Sequence, residues 1–391
     1  MPQGTLKPRL ADDRMRFGLM WLSSPTPTTT SKEVADLNPD PFDVDAQMDL
    51  ARRVEDAGFD YVFFADGYIP HGENSWRIGH AEPHMSAPVF APVVMAATRH
   101  IGVVTTFHTR YFPPAVIARL GANLDVLSGG RWGWNIVPGW KPDELALLGI
   151  TVPDSSHETR YATTAEAVEA VKRLWAARGE QVDFEGEFFR LHGKMISPHP
   201  VQDPPCLFNA GVSPVAQELI ADTCDFAFTP LPDDYAKMRA MVEGLAERTE
   251  RHGRSPLEVN MAGATGIVLG RSDREAQEKY DWVRESLDMD CARDIATELM
   301  GGSETYKANY EGEFDDVART LGIACGSKVL VGSPSTVAEQ ILDMHRETGI
   351  RGFMFLPSLY AAQDIELIGE VFPYLEKADV WTPPAERGWS W

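Results

Sequence analysis

The sequence contains no apolar run that approaches the ~18–20 residues of a membrane-spanning helix. Its first stretch, MPQGTLKPRLADDRMR, is charged and has no apolar centre, so we do not expect a secretory signal. These absences predict a cytoplasmic protein that makes no membrane contact. Residues 1–14 are expected to form a flexible lead-in to the first strand.

Cysteine is scarce, and the four that occur are Cys206, Cys224, Cys291 and Cys325. They form no CxxC pair and show no metal-ligand spacing, so we expect reduced cysteines and no metal site. The segment 71–84 holds three histidines and two glutamates, but Pro83 argues against one helix that presents His80 and His84 together. We expect this segment to cover the active site or to contact another subunit.

Basic residues are also few. The chain has 36 Lys and Arg against 58 Asp and Glu, which gives a formal net charge of -22. Nucleic-acid binding requires clustered cations that neutralise phosphates, so nucleic acid is excluded as a partner.

The main pattern that is present is alternation. Apolar runs typical of strands are each followed by a segment with helical spacing of apolar residues. Eight such runs occur, at 16–23, 59–66, 101–109, 128–140, 206–212, 225–231, 259–270 and 352–358. Because the runs are mostly continuously apolar and do not alternate, they are typical of parallel strands that are buried on both faces. Eight β/α units predict an α/β fold, a (β/α)8 TIM barrel.

A TIM barrel needs ~250 residues, which leaves roughly 140 for insertions and tails. We predict one domain over residues 1–391, with insertions at the carboxyl-terminal face. The largest insertion is expected at 271–328, and the Trp-rich tail at 378–391 is either frayed or an oligomer clasp. A doubly wound sheet is the alternative, but its Gly-x-Gly-x-x-Gly motif is missing after the first strand.

The predicted strand ends carry amides, hydroxyls and aromatic rings, with few charges. They hold no carboxylate pair, no apparent Ser/His/Asp set and no nucleophilic cysteine. TIM-barrel enzymes place their chemistry at this end of the barrel. The composition favours a large planar cofactor over acid–base hydrolysis. The stretch SGGRWGWNIVPGW at 128–140 is the most distinctive of these ends, because its glycines allow a close approach of the backbone to a ligand.

Several segments share an order with one known family. They are Phe112–Ile150, Thr159–Ala162, Phe184–Arg190, Asn209–Ser213 and Val331–Leu342. Over about residues 14–375 the sequence resembles the bacterial luciferase-like flavin monooxygenases, and its nearest likeness is to the pyrimidine and alkanesulfonate monooxygenase group.

The resemblance implies a two-component monooxygenase that receives reduced FMN (FMNH2) from a separate NAD(P)H flavin reductase. It would use O2 and a flavin peroxide to oxygenate a small substrate, a nitrogen heterocycle, and would form a homodimer or homotetramer. Three alternatives stay open: a sulfone or sulfonate monooxygenase, a deazaflavin-dependent hydride-transfer enzyme, and a flavin-storing barrel without turnover.

The resemblance also implies site residues. The positions that match FMN contacts are Asp66, Gly67, Asn135, Glu144, Arg160, Tyr161 and Ser213. Asp66 and Gly67 match in position and not in residue type. Arg160 and Tyr161 are expected to open a helix, as is Ser213, where helix amides favour a phosphate.

Thr106 and Asn135 are implied to hold oxygen beside the flavin. Each implied residue also has a purely structural interpretation, such as a helix N-cap for Ser213 or a strand filler for Thr106.

The substrate side departs from the family pattern. Pro138 stands where the group has Thr, which removes a hydroxyl and a backbone N–H. The end of the third strand, which includes His108 and Arg110, is unusually bulky and polar. We predict that His108, Arg110 and Pro138 face a substrate other than uracil.

Overall fold

A computed structural model describes residues 12–152, 156–302, 312–389 and 391. The strands are β1 Arg16–Met20, β2 Tyr61–Phe64, β3 Gly102–His108, β4 Trp132–Val137, β5 Val182–Glu185, β6 Arg190–Gly193, β7 Cys206–Asn209, β8 Phe226–Pro230, β9 Asn260–Leu269, β10 Val329–Gly332 and β11 Gly352–Pro357.

The helices begin with α1 Lys32–Leu37, α2 Val44–Ala57, α3 Ser75–Ile78, α4 Ala87–Ala97, α5 Pro114–Ser128, α6 Pro142–Leu147, α7 His157–Ala176 and α8 Pro214–Thr223. They continue with α9 Tyr235–Arg251, α10 Asp273–Glu285, α11 Met289–Gly302, α12 Phe314–Leu321, α13 Pro334–Thr348, α14 Ala362–Gly369 and α15 Phe372–Lys377. None of the described helices is both long and apolar enough to cross a membrane.

Eight parallel strands close into a barrel in the order β1-β2-β3-β4-β7-β8-β9-β11, and β11 pairs with β1 to complete the ring. Each strand lies within one of the eight apolar runs, so the predicted TIM barrel is confirmed. The described carboxyl ends of the strands share one face of the barrel, as parallel pairing requires.

Two features of the sheets were not predicted. β9 is long enough to pair with β8 through its first residues and with β11 through its middle, and its last residues pair with an additional strand, β10. Between α7 and β7, β5 and β6 form an antiparallel hairpin. Strands β5 and β6 each have only four residues, which is too few for the sequence periodicity to indicate a strand.

The apolar core has two main layers, as expected when successive side chains of a strand point to opposite faces. The layer between strands and helices contains Phe17, Trp132 and Trp134. The barrel interior contains Tyr61 and Phe208 among other buried residues.

The predicted insertion at 271–328 includes α10, α11 and α12. Helices α11 and α12 share a small apolar core with Ile78 of α3. Arg77 pairs with Asp288, and the Asp294 carboxylate accepts the backbone N–H of Asn74 at 3.0 Å. These contacts join the insertion to the segment that follows β2, at the carboxyl end of the barrel.

The predicted tail packs against its own chain. Trp381 is 5% exposed and Trp391 is 7% exposed, so the frayed alternative does not hold for these two residues. Of the predicted lead-in, residues 1–11 lie outside the described residues, whereas Asp12 pairs with Arg16. All four cysteines are free thiols.

Candidate active site

β3 and β4 place a hydrogen-bonded pair at the carboxyl end of the barrel. Thr106 and Asn135 are register partners, and both are at most 4% exposed. The Thr106 hydroxyl donates to the Phe64 carbonyl at 2.8 Å and accepts from Asn135 Nδ2 at 2.9 Å. The structure therefore gives the Thr106 hydrogen a protein acceptor.

This arrangement also orients the Asn135 amide. Because the Thr106 oxygen has to accept, Asn135 presents its NH2 group to it, and the amide assignment follows from the network. Asn135 Oδ1 is buried and has no hydrogen-bond partner among the described residues. A buried acceptor without a donor is unfavourable, so this oxygen is a site for an N–H group of a ligand.

Glu144 joins the loops that follow β2, β3 and β4. It lies on α6 and is 3% exposed. Its carboxylate accepts the backbone N–H of Tyr68 at 2.9 Å and the hydroxyl of Tyr111 at 2.5 Å. A Cβ at Gly67 would lie 3.2 Å from Glu144 Oε1, so only a small residue fits there without a shift.

Asp66 is the last residue of the apolar run that contains β2, and its carboxylate forms hydrogen bonds with residues at the start of α4. Its carboxylate accepts the N–H of Gly67 at 2.9 Å, the hydroxyl of Ser86 at 3.1 Å and the N–H of Ala87 at 2.9 Å. Burial nevertheless raises the pKa of Asp66 to about 6, because desolvation disfavours the charged form.

The predicted substrate residues lie beside this group. His108 is 5% exposed and stacks on the Tyr111 ring at a centroid distance of 4.5 Å. Burial lowers the pKa of His108 to about 4, so the imidazole is neutral at pH 7. Arg110 donates to the Gly139 carbonyl at 3.2 Å, and Pro138 is partly buried directly after β4.

A second group lies where α7 meets α8. Tyr161 is 8% exposed and packs on Ala216 in the first turn of α8. A Cβ on Gly211 would lie 2.3 Å from the Tyr161 hydroxyl, so the loop before α8 approaches it closely. Burial raises the pKa of Tyr161 to about 12. Ser213 is the N-cap of α8, and its hydroxyl accepts from Ala216 N at 3.4 Å.

One expectation about this group is wrong. Arg160 and Tyr161 do not open a helix, since α7 begins at His157 with Ser156 as its N-cap. The hydroxyl of Ser156 satisfies the N–H of Thr159 and starts the helix one turn earlier. Arg160 therefore lies at the end of the first turn of α7.

Sequence reasoning missed Tyr68 and Tyr111 as neighbours of the site. Tyr111 is 33 residues from Glu144 in the chain, so no local pattern links the two. The only available signal was the unusual bulk of the β3 end.

Among the histidines at 71–84, His71 contacts the insertion and His84 lies 3.1 Å from the Ala65 carbonyl. His71 Nδ1 lies 2.5 Å from a carboxylate oxygen of Glu298, which also pairs with Lys141. Desolvation lowers the pKa of His80 to about 3. Within the described ranges, no group of three His, Cys, Asp or Glu side chains is placed to hold a metal ion.

Comparison with known proteins identifies a family and a shared fold. A family model described as luciferase-like monooxygenase matches residues 15–352. Dibenzothiophene-sulfone monooxygenase of Rhodococcus erythropolis is 30% identical over 260 residues, which cover 60% of this chain and 57% of that protein. Pyrimidine monooxygenase RutA of Enterobacter sp. (strain 638) is 26% identical over 287 residues, which cover 72% of this chain and 76% of the relative.

Among solved structures, riboflavin lyase (RcaE) with modified FMN and riboflavin superposes with a TM-score of 0.86. The match covers 95% of this chain and 93% of that one at 23% identity, and it shows a shared fold.

Proposed function

This chain belongs to the luciferase-like monooxygenase family, and from that membership we propose that it oxygenates a small neutral substrate with O2 and reduced FMN. The observation that carries the proposal is Asn135 Oδ1, a buried acceptor without a donor at the carboxyl end of the barrel. The isoalloxazine of reduced FMN offers N–H groups that such an oxygen accepts, and its bulk suits a barrel end with few charges.

The second group of residues supports a phosphate. Arg160, at the end of the first turn of α7, contributes a guanidinium that would pair with a phosphate. Ser213 begins α8, whose first amides and dipole favour an anion. Gly211 keeps the backbone close to the Tyr161 hydroxyl, so these donors lie on one wall. We assign the FMN phosphate to Arg160, Tyr161 and Ser213.

Reduced FMN supplies the electrons with which O2 is activated. The protein would orient the ring through Asn135, whose amide is held in place by Thr106. Asp66 and Gly67, with Glu144, would border the same ring. The buried setting excludes water, which strengthens each polar contact there.

The substrate side favours a neutral molecule, for which we propose a nitrogen heterocycle. The cations that follow β3 and β4 are already engaged, since Arg110 donates to Gly139 and Lys141 pairs with Glu298. His108 is uncharged at pH 7 because burial lowers its pKa to about 4. Lys141 is thus neutralised by an ion pair and one N–H of Arg110 is occupied, which makes this wall less suited to a sulfonate than to a neutral molecule.

A sulfone monooxygenase is the second candidate. It is favoured by the 30% identity with dibenzothiophene-sulfone monooxygenase. A sulfone is also neutral, so the same wall would accept it.

We further propose that a separate NAD(P)H flavin reductase supplies the FMNH2. The described residues show no nicotinamide-binding motif after β1, which is consistent with that division.

Anaerobic titration with FMNH2 tests the cofactor assignment. Arg160→Ala should weaken binding about tenfold or more, because a charge-assisted contact contributes about 1.5–3 kcal/mol. The matched control is Arg173→Ala on the same helix, whose side chain pairs with exposed Glu169 and lies over the Phe184 ring. Equal affinities of the two variants, or binding of a deazaflavin in place of FMNH2, would refute the assignment.

Product analysis with labelled oxygen tests the reaction. Heterocycles and sulfones are supplied in parallel with FMNH2, and incorporation of one labelled atom into a heterocycle is expected. Incorporation into sulfones alone would favour the second candidate. Tight FMNH2 binding without any product from either panel would indicate a flavin-storing barrel.

A further inference from the structure

Trp391 lies in the amino-terminal part of the barrel interior, against Gly102 and Gly133 near the starts of β3 and β4. We propose that Trp391 is a positioning residue whose indole closes the barrel interior beneath the Asn135–Thr106 pair and keeps water away from that pair. We call this indole the floor of the site. The expected effect on oxygenation rests on the proposed function. The expected effects on stability, indole binding and amide exchange rest on the geometry of the barrel alone.

Two strands have glycine where the indole lies. A Cβ on Gly102, the first residue of β3, would lie 2.9 Å from Trp391 ring atoms. A Cβ on Gly133, in β4, would lie 3.0 Å from Trp391 Cη2. Real Cβ atoms are tolerated poorly at such distances, so the indole occupies space that only glycine leaves open.

Aromatic side chains surround the remaining faces. Ring centroids of Tyr61, Phe208 and Phe226 lie 6.0, 6.1 and 6.3 Å from the Trp391 ring. All belong to the interior layer of the core, and Trp391 is 7% exposed. The indole is thus a component of the barrel interior.

The segment before Trp391 is anchored independently. Arg387 and Asp60 form an ion pair at 2.5 Å, and their side chains are 2% and 1% exposed. Asp60 also accepts the N–H of Phe17 at 2.8 Å. Farther out, Trp389 stacks on His100 at a centroid distance of 3.8 Å and is partly exposed.

The floor lies one layer below the site. Gly133 and Asn135 are two residues apart and face the same side of β4, roughly 7 Å along the strand. In the register of β3 and β4, Val104 pairs with Gly133 and Thr106 pairs with Asn135. The indole that touches Gly133 therefore lies directly beneath the layer that orients Asn135.

Removing the indole would admit water. The Tyr61 hydroxyl and Asn135 Oδ1 are both buried and lack a partner among the described residues. Water enters a cavity that is roomy and has polar groups to bind it. Water beside Asn135 would compete with the ligand N–H for Oδ1, and reduced flavin would then lose its electrons to O2 without oxygenating substrate.

Trp391→Ala tests this floor, and Trp389→Ala is the matched control from the same segment. We expect Trp391→Ala to lower Tm, to bind one added indole per chain by calorimetry, and to exchange the amides of β3 and β4 faster than those of β9. Added indole should reverse the faster exchange. Trp389→Ala should bind no indole and keep the exchange of wild type.

The oxygenation readout is the ratio of product to hydrogen peroxide per FMNH2 consumed. Trp391→Ala should lose coupling, and either added indole or Trp391→Phe should restore part of it. Trp391→Leu, which leaves a smaller cavity, replaces Trp391→Ala in all assays if the latter does not fold.

Wild-type coupling in Trp391→Ala, or uniform exchange changes without indole binding, would overturn the inference. If wild type forms no oxygenated product from FMNH2, O2 and the substrates supplied, the proposed function fails, and indole binding and amide exchange still test the position of Trp391.

Discussion

The Asn135 amide donates to the Thr106 hydroxyl at 2.9 Å, and that hydroxyl donates onward to the Phe64 carbonyl. The chain of donors runs from β4 through β3 to β2, so three neighbouring barrel strands determine where Asn135 Oδ1 lies. The oxygen contact of Thr106 that the resemblance implies stays a prediction, and these hydrogen bonds lead us to expect that Thr106 also orients Asn135.

Replacing Thr106 by Val keeps the shape of the side chain and removes the hydroxyl. We expect FMNH2 affinity to be nearly retained and product formation to fall about tenfold, since one hydrogen bond of about 1.4 kcal/mol no longer orients Asn135. Single-turnover kinetics measure both quantities. Thr106→Ser should keep the wild-type rate.

Thr105→Val is the matched control for this variant. Thr105 accepts the Trp132 indole N–H at 2.8 Å in the layer between strands and helices, on the other face of β3. It should lower the free energy of unfolding by about 1–3 kcal/mol and leave the rate unchanged. Equal rates in both Val variants would refute the role of Thr106.

Tyr111→Phe removes a hydroxyl that donates to the buried Glu144 carboxylate. The free energy of unfolding should fall by about 1–3 kcal/mol, because a buried charged acceptor loses a donor. FMNH2 affinity should fall as well if Glu144 borders the ring. Tyr68→Phe is the control, since Tyr68 contacts Glu144 only through its backbone N–H. Urea denaturation measures the loss of stability and anaerobic titration measures the loss of FMNH2 affinity. Equal losses in Tyr111→Phe and Tyr68→Phe would contradict a role for the Tyr111–Glu144 hydrogen bond.

Asp66→Asn tests the raised pKa of Asp66. Because the folded-state pKa is about 6 against an ordinary value of 3.8, the folded protein binds more protons than the unfolded chain between these values. The stability of wild type relative to Asp66→Asn should therefore fall as pH rises through this window and stay constant above it. Urea denaturation across this pH range measures the difference. A rise with pH would mean that the pKa is depressed instead.

Arg131, in the distinctive 128–140 stretch, is structural. Its guanidinium donates to the carbonyls of Ser128 and Ile101 at 2.7 Å and of Met95 at 3.0 Å. Arg131→Met should lower the free energy of unfolding by about 3 kcal/mol, at about 1 kcal/mol for each of these bonds. FMNH2 affinity should not change.

Arg119→Met on α5 provides the comparison for Arg131, because Arg119 is exposed. It should change the free energy of unfolding by less than about 0.5 kcal/mol. A similar effect of both substitutions would contradict the structural role of Arg131.

The barrel strands could be predicted because burial on both faces leaves a mark in the local sequence. Tyr61–Phe64 and Gly102–His108 are buried at every position, and both are mostly apolar without alternation of buried and exposed residues. Val182–Glu185 alternates between buried and exposed residues over only four positions, so its pairing with β6 could not be predicted. The candidate site residues could be predicted because the family motif places them at a fixed spacing in the sequence.

The sequence by itself determined the eight β/α units and the residue types at their carboxyl ends, because each unit depends on local periodicity and on burial within a short segment. Only the tertiary structure decided which groups satisfy one another. In the folded chain, the Thr106 hydroxyl donates to the Phe64 carbonyl and the Tyr111 hydroxyl donates to Glu144. Trp391 packs against Gly102 and Gly133 inside the barrel. These contacts join residues far apart in the chain, and hydrogen-bond direction and close packing arise only when the closed barrel brings them together.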